Sequence, residues 1–249
     1  MFTVSVKDDM QRVLRQLDNF DRRQVPFVIA KALTATAQDA KKDLVAVLPR
    51  IFENPTPYTM NSIFVSGANK QRLEAIVGFK DTASNGTPAA KYLQPEITGG
   101  GRRIKRIERY LSGKGILPNG MAVVPAAGAQ IDAYGNVKRA DYGKIISRLA
   151  RQSNAATTGK RTRRTKTGSG GQLFVNIPGR KGSNPKLPAG VWERTSFAQG
   201  SAIKPMLLFV EIPRYRARFD FTGTVTKTIR QQFQQRLNEA IELAIATSR

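Results

Sequence analysis

Cysteine and histidine are both missing from the 249 residues of this chain. Without cysteine there are no disulfides, no thiolate nucleophile, no zinc knuckle and no iron–sulfur ligation. Without histidine the commonest general base and metal ligand near neutral pH is gone. Acids are scarce too: 18 Asp and Glu stand against 41 Lys and Arg, a formal net charge of +23. That excess says nothing about fold, but it predicts salt-sensitive attraction to polyanions or to the acidic face of a partner. No apolar run approaches the ~18 residues of a membrane span. The start, Met1-Phe2-Thr3-Val4-Ser5-Val6-Lys7, has no basic stretch leading into an apolar one, so no secretory signal is expected. The expectation is a protein assembled in a cytoplasm, with no membrane and no cofactor.

What is present suffices for a core, since 40% of the residues are hydrophobic. Met10, Val13, Leu14, Leu17 and Phe20 recur at helical spacing and predict a short amphipathic helix over 8–20. Pro26 suits the first turn of a second helix. Its inner face would be Phe27, Ala30, Leu33, Ala37, Ala40, Leu44 and Val47, with Pro49 ending the run. Pro55-Thr56-Pro57 predicts an extended or turning segment. Strands are predicted over 62–66 and 73–79, joined as a hairpin through Asn69.

The middle of the chain is richer in Gly, Pro, Ser, Thr, Lys and Arg. Within it, 104–111 and 141–151 read as basic helices, 121–125 as a strand, and Asp132-Ala133-Tyr134-Gly135-Asn136 as a turn. Nothing periodic survives over 153–171, which predicts a mobile arm. Strands follow at 173–177 and 190–194. The almost unbroken apolar run between Pro205 and Pro213 predicts a strand bounded by those prolines and buried on both faces. A helix from about Thr224 closes the chain, with Val225, Ile229, Phe233, Leu237, Ile241 and Ile245 as its stripe. This order predicts an α+β fold: N-terminal helices, an antiparallel or mixed sheet, a long basic insertion and a C-terminal amphipathic helix. The expected organisation is a single domain over 1–249 carrying a basic, loop-rich insertion at about 81–185.

Catalytic patterns are weak. The nearest approach to a phosphate loop, Asn154-Ala155-Ala156-Thr157-Thr158-Gly159-Lys160-Arg161, lacks the first glycine, ends in Arg where Ser or Thr is needed, and follows no strand. Paired carboxylates for acid–base or two-metal chemistry are not evident. Glu193, Glu211 and Asp220 sit among basic residues and read as ion-pair partners. Arg214, Arg216 and Arg218 alternate with Tyr215, Phe219 and Phe221 nearby. Such a run either clamps single-stranded nucleic acid or turns its aromatics inward and its arginines outward, and the second reading is favoured.

The distinctive feature is two basic runs next to glycine. Arg102, Arg103, Lys105 and Arg106 follow Gly99-Gly100-Gly101, and Lys160, Arg161, Arg163, Arg164 and Lys166 precede Gly168-Ser169-Gly170-Gly171. These nine side chains are the expected contacts for a polyanion or for an acidic neighbouring subunit.

Several segments in order resemble bacteriophage minor tail and tail-completion proteins, the Z-type head–tail joining group. They are Leu48-Pro49-Arg50-Ile51-Phe52 with Asn54-Pro55-Thr56-Pro57-Tyr58, then Lys91-Tyr92-Leu93-Gln94-Pro95-Glu96-Ile97-Thr98-Gly99-Gly100, then Gly115-Ile116-Leu117-Pro118-Asn119-Gly120-Met121 with Asp132-Ala133-Tyr134-Gly135-Asn136, then Leu187-Pro188-Ala189-Gly190-Val191-Trp192-Glu193-Arg194 leading to Ile203-Lys204-Pro205-Met206-Leu207-Leu208-Phe209-Val210 and the closing helix. The resemblance implies a non-enzymatic virion protein forming a homo-oligomeric ring, six-fold or twelve-fold, at the neck or tail of a tailed phage. It implies neighbours among the portal, connector and tail proteins, with genomic DNA within reach of the basic arms. The other expectation, from charge alone, is a nucleic-acid-binding factor that packages or organises DNA.

Overall fold

The computed structural model describes residues 3–6, 24–83, 86–158 and 171–247. The helix expected over 8–20 and the basic residues Lys160, Arg161, Arg163, Arg164 and Lys166 lie outside them. Among the described residues the fold is α+β, with six helices and antiparallel sheets. The chain divides into two compact units, one formed by Met1–Gly100 with Arg214–Arg249 and the other by Gly101–Pro213. The amino-acid pattern suggested a loop-rich insertion at about 81–185; the interior unit is instead a sheet with helices and a core of its own.

In the first unit, strand β1 (Thr3–Val6) and strand β2 (Ile63–Ser66) flank β3 (Ala75–Phe79), both antiparallel to it. The hairpin turn between β2 and β3 is organised by Asn69, whose Oδ1 accepts from the N–H groups of Gln71 and Arg72 at 3.0 and 2.6 Å. Helix α1 (Val25–Ile51) starts with a proline in its first turn and buries Ala30, Leu33, Ala37, Ala40, Leu44 and Leu48. Pro49 does not end it. A proline in the last turn forfeits one N–H bond, yet the helix runs on to Ile51 and closes by Phe52 N–H to the Leu48 carbonyl at 2.9 Å.

Pro57 likewise begins a single helical turn, α2 (Pro57–Met60), capped by the Thr56 hydroxyl. Helix α3 (Ala89–Thr98), with Pro95 inside it, is an element the periodicity did not announce. The chain leaves this unit at β4 (Gly100–Gly101) and re-enters it at β9 (Arg214–Tyr215).

The last helix, α6 (Phe221–Thr247), packs antiparallel along α1: Arg236 reaches Asp39 at 2.6 Å, and the Thr228 hydroxyl donates to Asp43 at 2.6 Å. Its buried residues are Phe221, Val225, Thr228, Phe233, Leu237, Ala240 and Ala244. The fourth-residue stripe read from sequence drifts off this face. Each step of four turns a helix ~40° too far, so five steps bring Ile245 roughly half-way round, and it is 59% exposed.

In the second unit four antiparallel strands run in the order β5–β8–β7–β6: β5 (Met121–Pro125), β6 (Gln172–Asn176), β7 (Gly190–Phe197) and β8 (Gly200–Glu211). Helices α4 (Arg106–Gly113) and α5 (Arg139–Thr158) supply Ile107, Leu111, Ile145 and Leu149 to a core with Val123, Leu173, Val191, Leu207 and Phe209. Helix α5 continues through 153–158, where the sequence suggested an arm.

Strand β8 also departs from expectation. It begins at Gly200, and Pro205 lies inside it at a register shift, where Val191 faces Leu207 but Trp192 faces Pro205. A bulge is where a strand tolerates a residue without an N–H. Burial alternates: Leu207 and Phe209 are inside, while Val210 is exposed. The apolar run is therefore covered mainly on one face. Gly190 fits this strand pair because a Cβ there would collide with the Leu207 carbonyl.

Candidate functional site

The first basic run splits as soon as its side chains are traced. Arg102 turns inward and forms a paired hydrogen bond with Glu108, 2.5 Å to Oε1 and 2.9 Å to Oε2. Glu108 sits one turn into α4, where a carboxylate meets the unbonded N–H groups of a helix start. It also accepts from the backbone N–H of Lys105 at 2.6 Å and of Val123 at 2.8 Å. Burial alone would raise its pKa. The Arg102 bonds and the two backbone donors overcome that and hold the carboxyl below its ordinary range. Arg102 is thus a structural cation that holds Glu108 in place, and Glu108 in turn ties the start of α4 to β5.

Lys105 is partly drawn in as well, its Nζ lying 3.5 Å from the Val123 carbonyl. Desolvation, and then the charge of Arg102, lower its pKa; Glu108 opposes them. Of the four expected contact residues in this run, only Arg102 is drawn well inside; Arg103, Lys105 and Arg106 are exposed residues, Lys105 reaching back toward Val123. Helical spacing puts Arg109 on the same face as Arg106, and it is exposed, as is Lys114 just beyond the helix. Neither was among the residues expected from sequence. The three-residue interval from Arg106 to Arg109 was the signal that could have found Arg109.

The second unit carries most of the charge. Over Gly101–Pro213 there are 21 Lys and Arg against 5 Asp and Glu, a net +16, leaving +7 on the first unit. Two of those five acids are buried and committed. Glu108 is one; the other, Glu193, pairs with Arg148 at 2.8 Å and Lys204 at 3.1 Å. Burial pushes the Glu193 pKa up, and hydrogen bonds from those two cations bring it net down. Arg148 also donates to the Gly171 carbonyl, tying α5 to the start of β6. Arg194 stacks over Phe174, 5.2 Å from the ring centre.

The arginine–aromatic alternation after Pro213 resolves in the same way, within the first unit. Phe219 and Phe221 are fully buried and pack with Phe79, with ring centres 5.1–6.1 Å apart. Arg218 is held by the buried Glu96 at 2.5 Å and lies over Phe52 at 5.4 Å, and the Glu96 bond raises its pKa. Arg214 and Arg216 stay outside. Phe219 and Phe221 face the core and are not a stacking platform for bases, while Tyr215 is half-buried.

All three buried carboxylates among the described residues, Glu96, Glu108 and Glu193, are therefore salt-bridged anions. The phosphate-loop look-alike is not a loop at its start, because 154–158 continue helix α5. Among the described residues no group of three or more acidic side chains is placed to hold a metal ion, and no helix is long and apolar enough to cross a membrane. The arrangement offers a rigid frame with an outward cationic surface on one unit. Compared with protein-family models, curated proteins and solved structures, the chain finds no match.

Proposed function

We propose that the chain is a non-enzymatic structural subunit of a tailed bacteriophage, assembling as a homo-oligomeric ring at the head–tail junction. The observation that carries this reading is how the charge is spent. Among the described residues the buried carboxylates are all tied to arginine or lysine inside the fold, while Arg103, Arg106, Arg109 and Lys114 are left outside on a unit of net +16. Such a protein holds its shape with its acids and meets its surroundings with its cations. The ordered run of segments similar to tail-completion proteins supports the same class. The test is mass spectrometry of purified virions of the phage that encodes the chain. A fixed low copy number in a multiple of six is expected, and absence from the particle would end the proposal.

A second reading has its own support in the same outward arginines: a DNA-organising factor that binds phosphate backbone without reading sequence. It predicts duplex binding that weakens steeply with salt. Binding no stronger than that of a neutral control protein at low salt would remove it.

A further inference from the structure

Strands β7 and β8 run past the rest of their sheet. Strand β6 pairs with β7 only as far as Arg194, and β5 pairs with β8 only from Leu207 onward. Loop residues extend cover a little further, with Ala126 and Gly128 donating to the carbonyls of Met206 and Pro205. Beyond these points the register Arg194–Ile203, Thr195–Ala202, Ser196–Ser201 and Phe197–Gly200 describes a two-stranded ribbon. A ribbon of this kind is marginal by itself and presents backbone N–H and C=O groups along both outer edges. Its apolar side chains are turned to solvent, Phe197 60% and Ile203 41% exposed.

Edges of this sort are normally protected by lysine, proline or a bulge. Here the nine residues Thr195–Ile203 contain no charge and no proline, in a chain of net charge +23. The sheet's two edges are treated differently as well. On β5 the Val123 N–H is taken by Glu108, and Lys105 approaches the Val123 carbonyl. On β6 no further strand pairs with Gln172–Asn176 among the described residues, and that segment, Gln172-Leu173-Phe174-Val175-Asn176, is also uncharged.

We infer that the 195–203 ribbon of one copy adds, by strand pairing, to the free β6 edge of the next copy. The occupant is argued from charge. Two chains of +23 place like charges in contact over most of their surfaces, and these two stretches are uncharged segments through which copies meet with no like charges directly opposed. Backbone pairing supplies affinity, and Phe197 and Ile203 supply apolar area. Because ribbon and edge are different surfaces, the contact is head-to-tail, the kind that closes into rings. This inference rests on the reading of the chain as a ring subunit.

A chain without cysteine makes the test clean. Ser201→Cys and Gln172→Cys are made in separate full-length chains, mixed, and treated with a short bis-maleimide, with circular dichroism checking that each is folded. Coupling between the two variants is expected, and the double variant should give a covalent ladder of dimers, trimers and larger species. Ser201→Lys, a charge placed on the ribbon, should shift the sedimenting species from oligomer to monomer. Coupling of Ser201→Cys only to itself would mean a closed ribbon-to-ribbon dimer and overturn the head-to-tail assignment. Oligomers that persist in Ser201→Lys without coupling overturn the ribbon contact and leave the ring reading standing. A monomer at every concentration, with no coupling and no copies in the virion, overturns both.

Discussion

The two units of this chain solve the same problem with different materials. The first buries a long helix pair, α1 and α6, against a three-stranded sheet, and its centre is the Phe79–Phe219–Phe221 trio. The second sets helices α4 and α5 against a four-stranded sheet around a smaller apolar cluster. It ties its parts together with ionic bonds: Arg102–Glu108 joins α4 to β5, and Arg148–Glu193–Lys204 joins α5 to β7 and β8. Area-driven packing is insensitive to pH and salt, while buried ion pairs fail when one member is removed. A unit of net +16 that spends two of its five acids as internal pins gains definition of shape but leaves its surface strongly cationic.

The comparison breaks hardest in the first unit. Phe219→Ala removes a fully buried ring from the trio and should cost about 3–5 kcal/mol, the range for large aromatic truncations in a core. Chemical denaturation followed by far-ultraviolet circular dichroism, which follows the long helices of this unit, would read it. A cost under ~1 kcal/mol would mean the trio is not the centre of that core. In the second unit the corresponding change is Glu108→Ala, which takes the carboxylate away from the Arg102 guanidinium and from the Lys105 and Val123 N–H groups together. About 3 kcal/mol is expected, from breaking a buried pair by removing one member. Arg102→Met with Glu108→Leu, which removes both charges, should recover much of it. If the double variant is as unstable as the single one, the ion pair contributes more than definition of shape.

Acid sharpens the contrast. Glu108 and Glu193 have pKa values lowered by folding. Their contribution is complete above the unfolded glutamate value of about 4.3 and is lost as pH falls through the lower, folded values. Melting temperature should fall on that acid limb in the wild type and flatten in Glu108→Gln with Glu193→Gln. Asp39 in the first unit is lowered too, by hydrogen bonds from Arg236 and Lys42 against a burial effect that would raise it. It is more exposed than either glutamate, so Asp39→Asn should flatten the limb less. Equal flattening by both would erase the distinction.

Residues with strong local rules were legible in the sequence. Pro26 marked the start of α1, Asn69 the hairpin turn, and Phe219 and Phe221 the inward side of the arginine-rich segment. The α+β class followed from the order of such segments. What was not legible depended on partners distant in sequence. Arg102 looked like a surface cation until Glu108 and Val123 were brought beside it. The 205–213 run looked buried on both faces because composition does not reveal which face of a strand is covered. Pro49, Pro95 and Pro205 were read as boundaries or passed over, yet each lies within an element. Tertiary packing and a bulge outweighed the local penalty there.

The smallest effect on stability belongs to the outward arginines, and it sharpens the comparison most directly. Changing Arg103, Arg106 and Arg109 to Gln removes exposed charges with no core partner, so stability should move by no more than about 0.5 kcal/mol. Affinity for duplex DNA, measured by fluorescence anisotropy across a salt series, should respond differently. Every phosphate that the protein no longer neutralises lowers the slope of log K against log salt by ~0.9. Lys80, Lys91 and Lys227 on the first unit are also exposed, and Gln at those three positions makes the same change in total charge. If the cationic surface of the second unit meets the polyanion, only the arginine set lowers the slope. Equal loss from both sets would mean that the chain responds to net charge alone, and the division into a packed frame and a cationic unit would have no functional counterpart.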